Sequence, residues 1–309
     1  MSPLLPLALV AGLALIVVGG NSFVDSACAL ARRLGVSRAL IGLTLVSLAT
    51  TAPEFATSAM AALMGSGGVA YGNVVGSCIA NIALILSIVV VALSIPIGRD
   101  RLREGMAMLA LASLVVAMAL DGSVGRLEGL ALLLALGLFL GFLLRRGRGA
   151  GEVAVGEGAS TLRRLVLGFL AGAVGIVVGS RLLLYSGVGI ARALGVPEAV
   201  IGFTLVAVGT SLPELATAVL SAVKRVPELS LGNIIGANVL DLTWVLGFAA
   251  ALRPISIRPQ EVWFSNAMML AVMAFLLAFM STGRRLSRGE GVALLTLYAL
   301  YLAGLAVWH

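Results

Sequence analysis

Residues 50–84 read TTAPEFATSAMAALMGSGGVAYGNVVGSCIANIAL. Glu54 stands in an otherwise apolar run. Pro53 precedes it, and Thr50, Thr51, Ser58, Asn73, Ser77 and Asn81 punctuate the stretch with hydroxyls and amides. A second copy lies downstream. GTSLPELAT (209–217) repeats ATTAPEFAT (49–57), so Glu54 maps onto Glu214 at an offset of 160. At the same offset Gly72-Asn73 and Gly76 recur as Gly232-Asn233 and Gly236, and Asn81 maps onto Asp241. Upstream, ARRLGVSRALIGLTLV (31–46) matches ARALGVPEAVIGFTLV (191–206), and no gap is needed from Gly19 to Ile88. Self-similarity over this length means two structural halves.

What surrounds the repeats is lipid-like. Of the 309 residues, 60% are hydrophobic and 11% charged, and the mean hydropathy is +1.11. A soluble domain carries about 25% charged residues, so the composition is that of a polytopic membrane protein. Counted at about 20 apolar residues per crossing, candidate spans fall at 3–26, 38–63, 70–94, 104–121, 127–144, 163–186, 197–222, 229–251, 262–280 and 290–308. Five spans per half is an odd number, so the second half enters the membrane from the opposite side and the repeats are inverted. The expected fold is all-α, with ten transmembrane helices. A first five-helix repeat covers 1–144 and a second, inverted one covers 163–309. They are joined by a Gly-rich linker at 145–162 that lacks aromatics.

The cations test this plan. Assigning loops alternately to two sides puts sixteen of the 21 Lys and Arg on one side and five on the other. The positive-inside rule makes the richer side cytoplasmic, with both termini outside, in a multi-pass protein of the cell membrane. The net charge of +7 is thus a topology signal; its scatter over five loops argues against nucleic-acid binding. Cys28 and Cys78 make no disulfide framework. The single histidine, His309, removes almost every His-based metal or catalytic site. The first apolar run lacks a basic leader and reads as a span rather than a signal peptide.

Glu54, Glu214 and Asp241 are the clear ionisable groups inside the spans. Acids at that depth are costly unless they face a partner or a wet cavity, and transporters place their sites where repeats meet. Ser47, Thr50, Thr51, Glu54 and Ser58 form one polar helix stripe, and Thr210, Ser211 and Glu214 repeat it. Asn73, Ser77 and Asn81 step by four, as do Asn233, Ala237 and Asp241. Carboxylate, hydroxyl and amide oxygens suit Ca²⁺ and other hard cations, not zinc or copper. Ca²⁺ takes 6–8 oxygens, more than one helix can offer. Pro53 and Pro213 break the ladder to the carbonyls of Ala49 and Gly209, which is tolerated where a helix lines a cavity. The GxxxG spacings at Gly72/Gly76 and Gly232/Gly236 allow close helix approach.

With these motifs in place, ATTAPE followed by GNVVGSCIAN, and GTSLPE followed by GNIIGANVLD, resemble the two alpha-repeats of the sodium/calcium exchanger family, within the cation/Ca²⁺ antiporter superfamily. The resemblance implies that Glu54 and Glu214 ligate Ca²⁺ and also serve Na⁺. It implies further Ca²⁺ oxygens from Thr50 and Thr210. Thr51, Ser211 and Ser77 would complete flanking Na⁺ sites, with backbone carbonyls near Ser47 and Ala207, and Asn81 and Asp241 would line the middle. Three departures stand out: Ala49-Thr50-Thr51 replaces Gly-Thr-Ser, Ala237 replaces the usual Ser, and Cys78 replaces the usual Asn.

Sharing Glu54 and Glu214 between the two ions would enforce exchange rather than co-transport, with alternating access around a fixed core. The long spans one and six, carrying Gly12, Gly19, Gly172, Gly175 and Gly179, are the expected sliding gate. The expected protein is a monomeric antiporter, not an enzyme. Na⁺ and Ca²⁺ are its cargo, the lipid bilayer is its surroundings, and it has no cofactor. Ca²⁺/H⁺ exchange and K⁺-dependent Na⁺/Ca²⁺ exchange remain the alternatives; the hydroxyl pairs beside each glutamate favour Na⁺ over a proton. A channel would need a continuous polar path, and an intramembrane protease a His base, HExxH or paired catalytic aspartates.

Overall fold

The computed structural model describes residues 4–97, 99–147, 161–195, 209–257, 259–283 and 285–308. Eleven helices are described here: α1 (Leu4–Leu34), α2 (Arg38–Thr50), α3 (Ala52–Leu63), α4 (Gly67–Ala92), α5 (Arg99–Met118), α6 (Arg126–Gly147), α7 (Leu162–Ala193), α8 (Leu212–Val223), α9 (Pro227–Leu252), α10 (Pro259–Thr282) and α11 (Arg288–Trp308). Among the described residues seven helices are long and apolar enough to cross a membrane, or eight if the bent pair α2–α3 is one span. The chain is a multi-pass membrane protein. The shorter α8 begins after 196–208, which lie outside the described residues.

Burial sorts the helices into a centre and a rim. In the apolar windows of α4 and α9, 78% and 83% of residues are buried, against 22% and 28% in α1 and α7. α4 and α9 therefore form the core. Both continue through a π-helical turn, Asn81–Leu86 in one and Asp241–Val245 in the other, at the 160-residue offset. Such turns insert an extra residue into the helix and recur at functional sites.

The rim pair α1 and α7 lie against each other along their length. A Cβ on Gly12 would stand 2.9 Å from the Gly179 oxygen, and one on Gly172 would stand 2.6 Å from the Gly19 oxygen. Only a missing side chain permits that approach. Early residues of one helix meet late residues of the other, so the two run antiparallel. Ser22 Oγ donates to the Gly168 oxygen at 3.0 Å, and Phe23 stacks on Phe169 at 4.5 Å between centroids. Both helices outrun their apolar spans: Arg32 and Arg33 close α1, and Arg192 closes α7. Cations in a last turn complement the helix dipole.

Two short antiparallel ribbons complete the fold. β1 (Ile95–Pro96), after α4, pairs with β4 (Arg285–Leu286), before α11. β2 (Ser123–Val124), before α6, pairs with β3 (Ile255–Ser256), after α9. Of the 145–162 linker, α6 takes the first residues up to Gly147 and α7 begins at Leu162, where Thr161 Oγ1 caps the Arg164 N–H at 3.3 Å. Residues 148–160 lie outside the described set.

Candidate cation site

The break between α2 and α3 is written in Thr51-Ala52-Pro53-Glu54. Proline cannot donate, and its fixed φ suits the first turn of a helix. A carboxylate there complements the positive end of the helix dipole. The chain accordingly stops α2 at Thr50 and restarts at Ala52, with a bend of 46°. Thr51, in the break, has φ −78° and ψ −2°. Ser211 precedes α8 with φ −87° and ψ 9°, followed again by Pro213 and Glu214 in the first turn. Both hydroxyl residues sit in the bridge region of backbone space, where active-site residues are often found. The polar stripe is thus bent at its centre, where Pro53 removes the bond that would hold the helix straight, as the sequence leads one to expect.

Ser47, Thr50, Thr51, Glu54, Ser77, Asn81, Ser211, Glu214 and Asp241 are all buried, none more than 4% exposed. Thr210 is half-buried in the turn before α8, and Ala207 lies outside the described residues. Glu54 stands within electrostatic reach of both Glu214 and Asp241, and Asp241 within reach of Glu214. Thr50 and Thr51 of the first half face the Glu214 carboxylate of the second. The Thr50 hydroxyl also donates across the halves to Asn233 Oδ1 at 3.3 Å. Around this centre Asn73 Nδ2 donates to Ser58 Oγ at 2.9 Å and to the Glu54 main-chain oxygen at 3.4 Å. Phe55 seals one side by stacking on Trp244 at 4.3 Å.

Several oxygens at the centre lack a protein partner. Both Glu54 oxygens, Glu214 Oε2, both Asp241 oxygens, Asn81 Oδ1, Thr51 Oγ1 and Ser211 Oγ are buried without a hydrogen-bond partner. Each unsatisfied buried group costs about 1–3 kcal/mol, more when charged, so eight in one region demand a counterpart. A hard cation is the counterpart that carboxylate, amide and hydroxyl oxygens fit together. Among the described residues no three His, Cys, Asp or Glu side chains form a metal-holding group by themselves. The acids share the centre with the neutral oxygens of Asn81, Thr51 and Ser211. An apolar cavity of about 150 Å³, lined by Val116, Trp263, Asn266 and Leu270, lies elsewhere and contains none of these residues.

Close backbone crossing brings the halves together. A Cβ on Gly232 would lie 2.2 Å from the Ala39 oxygen, and one on Gly236 would lie 2.6 Å from Ser47 Oγ. α9 therefore rides directly on α2. The segment that would repeat this contact for Gly72 and Gly76 falls within 196–208. One buried polar residue at the centre escaped the sequence reading. Asn238 accepts from Asn81 Nδ2 at 3.0 Å, and its only signal was being the repeat mate of the aberrant Cys78.

A profile of the family described as sodium/calcium exchanger protein matches residues 4–145 and 164–307. The sodium/calcium exchanger MaX1 of Methanosarcina acetivorans is 33% identical, over 96% of this chain and 97% of that protein. The inner membrane protein YrbG of Escherichia coli is 32% identical, over 97% and 94%. The rat sodium/potassium/calcium exchanger 1 is 25% identical over 44% of this chain and 12% of its own length. Among solved structures, the sodium-calcium exchanger NCX_Mj soaked with Na⁺ and Ca²⁺ superposes with a TM-score of 0.87 at 28% identity, covering 99% of each chain. A polytopic helical chain with two matched alpha-repeats, similar to MaX1, YrbG and NCX_Mj over at least 96% of its length, belongs to the sodium/calcium exchanger protein family.

Proposed function

We propose that the chain is a secondary antiporter that exchanges Na⁺ for Ca²⁺ by alternating access, the ions competing for Glu54 and Glu214. The observation that carries this reading is the set of eight buried oxygens without protein donors, drawn from both repeats. Ca²⁺ needs 6–8 oxygens. Na⁺ is served by the same hard donors, so the hydroxyls of Thr51 and Ser211 and the Ser77 side chain extend the site on either side of the glutamates. Thr50, Thr210, Asn81 and Asp241 complete it, with the carbonyls near Ser47 and Ala207. Two ions that need the same carboxylates cannot be held fully at once, and that turns binding into exchange.

The membrane plan that accompanies this function is ten helices in two inverted repeats, 1–144 and 163–309, with basic loops cytoplasmic and both ends outside. The antiparallel run of α1 against its repeat mate α7 supports the inversion. The protein works as a monomer in the cell membrane, and α1 with α7 forms the moving gate.

The test is reconstitution in liposomes. Ca²⁺ uptake driven by an outward Na⁺ gradient is expected, with no requirement for K⁺ and none met by a pH gradient alone. Uptake with protons alone, and none with Na⁺, overturns the choice of coupling ion. Glu54→Gln and Glu214→Gln each remove a charged ligand worth about 1.5–3 kcal/mol, a loss of roughly tenfold to a hundredfold in ion affinity. Full transport by either variant overturns the site.

A further inference from the structure

Cys78 and Asn238 occupy the same position in the two repeats, 160 residues apart, and they touch. Cys78 Sγ donates to the main-chain oxygen of Asn238 at 3.9 Å, and Asn238 Nδ2 donates to the main-chain oxygen of Cys78 at 3.4 Å. Positions related by a two-fold operation meet each other at the axis. This pair therefore marks the pseudo-two-fold axis between α4 and α9, and there the two side chains differ: a thiol and a carboxamide.

The carboxamide has both ends engaged. Its Nδ2 serves the Cys78 carbonyl and also approaches Met108 Sδ at 3.6 Å. Its Oδ1 accepts from Asn81 Nδ2 at 3.0 Å. The Cys78 carbonyl can only accept. Asn238 must turn its amino end to that carbonyl, so it turns its oxygen to Asn81. Asn81 must then turn its own amino end to Asn238. Its Oδ1 is left on the other side, buried and without a protein donor. The mirror relation fails. Asp241, the repeat mate of Asn81, lies near Cys78, but the thiol is engaged with the Asn238 carbonyl and both Asp241 oxygens lack partners.

We infer that Asn238 is a positioning residue for the cation site: it locks the Asn81 amide with its oxygen presented to the ion, while Cys78 does no equivalent work for Asp241. The inference rests on the site proposed above. An unlocked amide offers an N–H as readily as an oxygen, and ordering it on binding weakens the ion's hold by about fivefold to tenfold.

The experiment is equilibrium ⁴⁵Ca²⁺ binding to the purified protein, with Na⁺ competition. Asn238→Ala should lower Ca²⁺ affinity by about fivefold to tenfold in the wild-type background and not at all in an Asn81→Ala background, because coupled residues are non-additive. An equal loss in both backgrounds means a merely structural role and overturns the inference. The exchange Cys78→Asn with Asn238→Cys keeps the pair on the axis and its volume, so it guards against a variant that fails to fold. It should lose affinity as Asn238→Ala does, since its amide now serves position 241; wild-type affinity overturns the inference. Glu54→Gln separates the two claims. If it binds Ca²⁺ like the wild type, the site itself fails. If it does not bind while the exchanged pair binds normally, only the role of Asn238 fails.

Discussion

Thr50 and Thr57 sit about two helical turns apart in one motif, and their surroundings assign them different work. Among the described residues Thr57 Oγ1 bonds the carbonyl of Pro53, at 2.9 Å along its own helix. Thr50 Oγ1 reaches Asn233 in the other half and faces Glu214. Thr50→Val should therefore lower Ca²⁺ affinity by about tenfold, the worth of one hydrogen bond to a charged group; Thr57→Val should leave it unchanged. Equilibrium Ca²⁺ binding checks both, and equal effects would contradict the assignment. At this scale the sequence showed which side chains are polar and, through the 160-residue offset, which of them are paired. It did not show Asn238 or Asn233 as partners. Their contacts, Asn238 to Asn81 and Asn233 to Thr50, join residues 157 and 183 apart, and no local periodicity records a contact across an axis.

The helices were legible wherever one apolar run maps to one straight segment. Two physical features were not. The bend at Thr51 was foreshadowed by Pro53, but its 46° depends on how α3 packs. The π turns at Asn81 and Asp241 leave the apolar pattern intact and so leave no trace in it. Packing between elements makes its own predictions. Gly232→Ala would push a Cβ to 2.2 Å from the Ala39 carbonyl, forcing α9 off α2. A loss of about 1–3 kcal/mol is expected for such overpacking, read as a lowered unfolding temperature in detergent. Gly137→Ala, with nothing within 4 Å of the new atom, is the neutral control. A second tie is shared in reverse between the halves. Ser58 Oγ donates from α3 to the Ala70 oxygen of α4 at 3.4 Å, whereas Ser230 Oγ donates from α9 to the Ala218 oxygen of α8 at 2.9 Å. Ser230→Ala should cost about 1 kcal/mol, and adding Ala218→Ser should return most of it by copying the geometry of the first half. Thermal unfolding of the single and double variants decides this.

For the whole molecule, the gate proposal turns on how α1 is held. Lys224, in the turn after α8, pairs with Asp25 on α1 at 2.6 Å and bonds the Asn21 oxygen at 3.3 Å. The repeat mates of this pair are Met64 and Tyr185, which cannot form it. Replacing Asp25 and Lys224 with cysteines and bridging them with a short bifunctional thiol reagent, in a Cys28→Ser background, should stop Na⁺-driven Ca²⁺ uptake while Ca²⁺ binding persists. Continued transport would remove α1 from the gate. The seams elsewhere do not invite movement. β1 of the first half is stitched to β4 of the second, and β2 of the first to β3 of the second. Among the described residues every strand pair crosses from one half to the other. The halves are thus basted together along two hems, and a rocking of one against the other would strain both. On the gate proposal, the stroke is a slide of the α1–α7 panel over a garment whose two hems stay sewn.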